Sequence, residues 1–276
     1  MWYVRKGFMQ AWKGIRHHQR KVIVLIILQI ILFGLVMGGG LYSQFLIFTD
    51  IQGIVEPLQR ANYDAAQLQE GNVFTPELAT VYESYIALQR HIVWILVIVL
   101  GIILILNGAL WILSHDILQK GTWKEWGYQW ITYAGLNIVV FSVFLGGSYF
   151  LLRSFVAQGM DPTIMSNWVK GILYTFGVVY YLLLVGFGLL PRHKWKEFFK
   201  RWGKILIQKF HKTLVVAVIN AIVLAVMLGG LYWSLIEEWP VGIMLAFMLG
   251  IVVVLVGIRL FWIAALQEVA HETHHS

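Results

Sequence analysis

Residues 22–42 read VIVLIILQIILFGLVMGGGLY, an apolar run without a charge whose one strongly polar side chain is Gln29. A helix rises about 1.5 Å per residue, so about 20 such residues cross the hydrocarbon core of a bilayer. Five further runs of this kind lie at about 92–114, 131–152, 169–190, 213–233 and 241–262. A backbone amide in lipid must bond within its own segment or a closed barrel, so long apolar runs predict helices. The expected fold is an all-α integral membrane protein of six transmembrane helices, forming one membrane domain over 1–276.

Composition agrees. Hydrophobic residues make up 59% of the chain and charged residues 13%, against about one quarter charged in soluble domains. The first run follows a basic stretch, as a secretory signal would. It is too long for a cleaved signal and further spans follow, so it is expected to stay. The chain has no cysteine, which excludes disulfides, thiolate metal sites and thiol nucleophiles.

Orientation follows from the basic residues. With the N-terminus in the cytoplasm, only Arg60, Arg90, Arg153 and Lys170 of the 21 Lys and Arg fall in outer segments. This positive-inside asymmetry puts both termini in the cytoplasm of a multi-pass cell-membrane protein. The inner charge lies beside the bilayer, so the expected partner is the lipid bilayer through anionic headgroups, and no nucleic acid. All 13 tryptophans lie at or near span ends, as interfacial aromatic belts do.

The sequence also repeats itself. Shifting residue 12 onto residue 202 aligns Trp12 with Trp202, Val36-Met37 with Val226-Met227, and Gly39-Gly40-Leu41-Tyr42 with Gly229-Gly230-Leu231-Tyr232. The third span carries Gly146-Gly147-Ser148-Tyr149 at the matching place, and Trp123-Lys124-Glu125-Trp126 echoes Trp195-Lys196-Glu197-Phe198. Three related helical hairpins are expected, all running the same way, hence parallel repeats about the membrane normal. Each copy opens on a basic amphipathic segment. In the segment 192–212, Trp195, Phe198, Phe199, Trp202, Leu206 and Phe210 share one helical face, the pattern of a helix lying in the interface.

Between the first two spans, 43–91 forms the one substantial outer segment. Ile51, Ile54, Leu58, Ala61, Ala65 and Leu68 recur at intervals of three and four, as a coiled-coil seam does. After Gly71-Asn72, Thr75-Pro76-Glu77 marks a helix start, and Leu78, Val81, Tyr85, Leu88, Ile92 and Ile95 continue the spacing. Two antiparallel helices are expected, with Pro57 placed to kink the first. Their acidic surface lacks the ligand spacing of a calcium loop, leaving a solvated face or a contact for a protein partner.

Inside the bilayer, Gln29, Asn107, Asn137 and Asn220 stand at one depth. Amides in hydrocarbon need partners, so the first expectation is a structural polar layer; the sharper one is a vestibule open to the cytoplasm, lined also by Tyr174, Thr175, Tyr180 and Tyr181. Arg259 is expected to snorkel from the inner end of the last span, leaving nothing ionisable in the layer and little basis for ion-coupled transport. Outward of the amides, Gly39, Gly40, Gly146, Gly147, Gly229 and Gly230 predict close helix packing and a tight outer constriction.

Catalytic signals are weak. His271-Glu272-Thr273-His274-His275 fits H-E-x-x-H, so His271, Glu272 and His275 are the only metal candidates. No third ligand is indicated and the motif sits where a terminal helix frays, so no metal site and no cofactor are expected. No serine elbow or phosphate-binding loop is present. The expected function is a non-catalytic scaffold, assembly or accessory component contacting partners through the outer hairpin and inner amphipathic helices. The alternative is a transporter or channel for a small solute or lipid, ahead of an enzyme.

Overall fold

The structure, a computed structural model, describes residues 2–60, 76–157, 162–190 and 195–271. Among them every regular element is helical: α1 (Trp2–His17), α2 (Gln19–Arg60), α3 (Pro76–Ile102), α4 (Gly108–Leu118), α5 (Trp123–Ala157), α6 (Pro162–Gly188), α7 (Trp195–Gln208), α8 (Phe210–Ile236) and α9 (Val241–His271). A π-helical turn, Ile103–Asn107, joins α3 to α4.

Five helices are long and apolar enough to cross a membrane: Gln19–Pro57, Ala79–Leu118, Trp123–Gly147, Phe210–Ile236 and Val241–His271. The run expected at 169–190 lies on α6, where the described apolar stretch is the shorter Leu173–Gly188. The described residues are thus those of an all-helical, multi-pass membrane protein, with five helices among them long and apolar enough to span where sequence hydropathy predicts six.

Contacts divide it into two units, residues 30–106 and residues 1–29 with 107–276. In the larger unit the core gathers at one end. α9 is its centre and packs against α1, α4, α6, α7 and α8. Leu260, Ile263, Ala264, Ala265 and Leu266 are fully buried there, with Leu110 of α4, Tyr133 of α5, Val185 of α6 and Val216 of α8. Towards the other end, Val143, Val226 and Leu249 stand exposed, as lipid-facing side chains do.

α1 lies along α9. Tyr3, Gly7 and Ala11, spaced by one helical turn, are its buried stripe. A Cβ on Gly7 would stand 2.8 Å from the Cα of Ala265, so the two backbones touch there because residue 7 has no side chain. Trp2, Phe8 and Trp12 face outward, and Lys6 Nζ sits 3.6 Å from the Trp2 ring centroid.

α7 corrects the expected single interfacial face. Phe198 and Ile205 turn into the bundle, and the Trp202 indole donates to the Leu182 carbonyl at 3.2 Å. Trp195 and Phe199 stay exposed, while Phe210 starts the next helix. The aromatic stripe is wide enough to serve two surfaces: positions 198, 202 and 205 follow the helical period onto the protein, and their neighbours face away.

Two joints share one construction. At His18 the backbone N–H donates to Gly14 O and the carbonyl accepts from Val22; at Lys209 the N–H donates to Ile205 O and the carbonyl accepts from Thr213. Each joint is a single residue between an amphipathic helix and a span. The middle aligned segment differs, because α5 runs unbroken from Trp123 through its span. It opens on a capping box: Glu125 Oε2 accepts from Thr122 N at 3.2 Å, and Thr122 Oγ1 accepts from Glu125 N at 3.4 Å.

In the unit 30–106, α2 and α3 run antiparallel. His91 Nδ1 pairs with Asp50 Oδ2 at 2.6 Å, and a Cβ on Gly53 would meet Ser84 Oγ at 2.6 Å. Of the expected seam, Ile51, Tyr85 and Ile92 are exposed, and Ile54, Val81, Leu88 and Ile95 half-buried. Ala61, Ala65, Leu68, Gly71-Asn72 and Thr75 lie outside the described residues, as do 191–194 and 272–276.

Five of the six outer glycines have open space around them. A Cβ on Gly39, Gly40, Gly146, Gly147 or Gly229 would meet nothing within 4 Å; only at Gly230 would it touch a neighbour, Phe247 of α9. Within the larger unit the close packing is at the opposite end, where Gly7, Gly14 and Gly188 lie against side chains or backbone of other helices.

Candidate functional site

Of the four amides, Gln29 and Asn107 bond to neighbouring helices. Gln29 of α2, 6% exposed, accepts from Arg259 Nη2 of α9 at 2.9 Å. Asn107 Nδ2, at the end of the π-helical turn, donates to the hydroxyl of fully buried Tyr133 at 2.8 Å. A π-helical turn inserts a residue and so shifts the register of the downstream helix, and here it sets Asn107 against α5. Asn137 Nδ2 donates to Tyr133 O within its own helix at 2.8 Å, and Asn220 is half-buried with no amide partner among the described residues. The four predicted amides are therefore not mutually bonded: two join different helix pairs and two do not.

Arg259 corrects the snorkelling expectation. α9 continues to His271, so Arg259 is far from a helix end, and its guanidinium turns inward. Its Cζ stands 5.5 Å from the Trp111 ring centroid, the Tyr133 and Tyr180 phenols are within electrostatic reach, and Nη1 is buried without a hydrogen-bond partner among the described residues. Among the described residues, neutral dipoles and a ring face, rather than a carboxylate, surround this cation. The vestibule tyrosines are dispersed: Tyr174 is 76% exposed, and Tyr181 bonds Thr213 Oγ1.

Nearer the basic end lies a second polar set. Lys21 of α2 forms an ion pair with Asp116 of α4, a buried carboxylate whose Oδ1 also accepts from Gly121 N at 2.9 Å. Asp116 thus holds the turn after α4 and the start of α2 together. Gln119 Nε2 donates to Gln267 Oε1 at 3.0 Å, and His115 Nε2 and Trp262 Nε1 reach the carbonyls of Phe187 and Leu184, both at 2.8 Å. The Phe187 carbonyl lies in the final turn of α6, beyond the reach of that helix's own N–H groups, and His115 supplies its donor. Around the first joint, Arg16, His17, His18, Gln19, Arg20 and Lys21 line an open pocket of about 460 Å³.

Tyr133, Asp116 and Lys21 are site residues that the sequence does not single out. A signal for the ion pair exists, since an acid just past one span and a lysine just before another end at the same face. Tyr133 has no comparable signal. The histidine motif is described only at His271, which is exposed; no three of His, Asp and Glu are grouped to hold a metal among the described residues.

Fold and composition together define a multi-pass helical membrane protein. No known family, curated protein or solved structure matches this chain.

Proposed function

We propose that this chain is a non-catalytic scaffold, assembly or accessory component of a cell membrane. In this reading it has six spans as three related hairpins, both termini are cytoplasmic, and α1 and α7 rest on anionic lipid. The observation behind it is the use of the amides as joints: Gln29 is engaged by Arg259 and Asn107 by Tyr133, each across a helix interface. A solute vestibule needs such groups free towards water. The outer helices α2 and α3, tied by Asp50 and His91, are then the contact for a protein partner.

The test is water access to the layer. With no native cysteine, Gln29→Cys and Asn137→Cys each give a single thiol. A small membrane-permeant methanethiosulfonate is expected to leave both unmodified while modifying Lys13→Cys. Rapid modification of both layer positions would overturn the reading. Replacing residues 43–91 with a short flexible linker is expected to abolish co-purification of the partner from native membranes.

A second reading has one specific support. The guanidinium of Arg259, with Nη1 unpartnered among the described residues, is the kind of intramembrane cation that marks an anion pathway. Under that reading the layer thiols react, and an anionic solute protects them.

A further inference from the structure

The joint between α1 and α2 concentrates cations where the chain enters the bilayer. Arg16, His17, His18, Gln19, Arg20 and Lys21 line one open pocket. Their charges are not cancelled locally. Asp116, the one carboxylate bonded to this segment among the described residues, is taken up by Lys21 and Gly121 N. Arg16 and Arg20 make no ion pair among the described residues, and both are exposed. Arg16 Cζ rests 5.7 Å from the Trp12 ring centroid, and His17 Nδ1 bonds Lys13 O at 2.9 Å, so aromatic and backbone contacts steady this wall. His18 keeps both of its backbone bonds, but the next three N–H groups, of Gln19, Arg20 and Lys21 at the pocket, have no backbone acceptor among the described residues. No acidic residue occupies that first turn.

Two guanidinium groups suit bidentate bonding to phosphate oxygens, and a lysine already spent on a carboxylate fixes the floor beside them. We propose that this pocket is a phosphate-group site, reading the headgroup of an anionic phospholipid or a soluble phosphate at the membrane surface. The lipid-facing exposure of Ile23, Val24 and Ile27 on the next turns of α2 gives an acyl chain a path away from the pocket. The proposal adds a defined site to the general basic surface and stands apart from whether the chain is a scaffold or a carrier.

The experiment is native mass spectrometry of the full chain in detergent, delipidated and then given phosphatidic acid or phosphatidylcholine. The paired change Arg16→Gln with Arg20→Gln is expected to weaken retention of phosphatidic acid by about tenfold, since each guanidinium supplies charge-assisted bonds. The control pair Lys196→Gln with Lys200→Gln removes equal charge from α7, outside the pocket, and is expected to change retention less than about twofold. The single change Arg20→Gln, on an exposed side chain, gives an independent reading at about threefold should the pair disturb folding. Displacement of the lipid by excess inorganic phosphate assigns the site to soluble phosphate; persistence of the lipid assigns it to the headgroup. Equal loss from both pairs means diffuse surface attraction and overturns the proposal, as does unchanged retention in the pocket variants.

Discussion

Arg259 is the residue on which the interior turns. A guanidinium in a stretch of helix otherwise apolar from Val241 to Leu266 must be compensated, and Gln29 Oε1 does so at 2.9 Å with the Trp111 face alongside. A hydrogen bond to a charged group contributes about 1.5–3 kcal/mol. Gln29→Leu is therefore expected to lower the melting temperature in detergent clearly in the native chain and much less beside Arg259→Met. Equal effects in both backgrounds would mean that the pair is not coupled. The neutral bond from Asn107 to Tyr133 is expected to show the smaller coupling of interhelical amides, about 0.6–2 kcal/mol, in the cycle of Asn107→Leu with Tyr133→Phe. That Gln29 and Asn107 need partners was legible in the sequence, because each is a polar side chain within an apolar run. Which way Arg259 turns was not legible, since that depends on how far α9 continues and on what faces it.

Two contacts set how helices sit on one another. Gly7 lets α1 reach the backbone of α9 at Ala265, and a large side chain there must push the helices apart. Overpacking costs about 1–3 kcal/mol, so Gly7→Leu is expected to lower thermal stability and to raise proteolysis of α1, whereas Gly38→Leu, in open space, leaves both unchanged. In the outer pair, the ideal Cβ of residue 53 stands 3.2 Å from the Cβ of Ser84, close to disulfide spacing. Gly53→Cys with Ser84→Cys is expected to cross-link under mild oxidation, read as a mobility shift reversed by reductant. Failure to cross-link would contradict the antiparallel register. The three-and-four spacing of Ile51 to Ile95 announced helices, and helices are present. It did not reveal that Ile51, Tyr85 and Ile92 would be exposed, because the same spacing suits a lipid-facing or partner-facing side. The glycine doublets show the same limit: Gly permits close approach without causing it, and the packed faces were settled by α9 and the helices around it.

For the whole molecule, the sequence carries the fold class through hydropathy, since apolar runs of about 20 residues satisfy their backbone in lipid as helices, whereas a barrel strand needs about 10 and alternates. It carries the two joints less directly, through the basic amphipathic stretches that precede spans. The number of crossings is where composition and geometry part. α6 is apolar over Leu173–Gly188, and whether it crosses determines whether the termini share a side. The central claim is six crossings with both termini in the cytoplasm, and a chain without cysteine allows it to be read residue by residue. The measurement is labelling of single-cysteine variants in intact and permeabilised cells with a membrane-impermeant maleimide. Glu83→Cys, Asn167→Cys and Glu238→Cys are predicted to label in intact cells, and Lys13→Cys, Lys124→Cys and Lys196→Cys only after permeabilisation. Labelling of Asn167→Cys and Lys196→Cys from the same side would contradict this topology and leave five crossings.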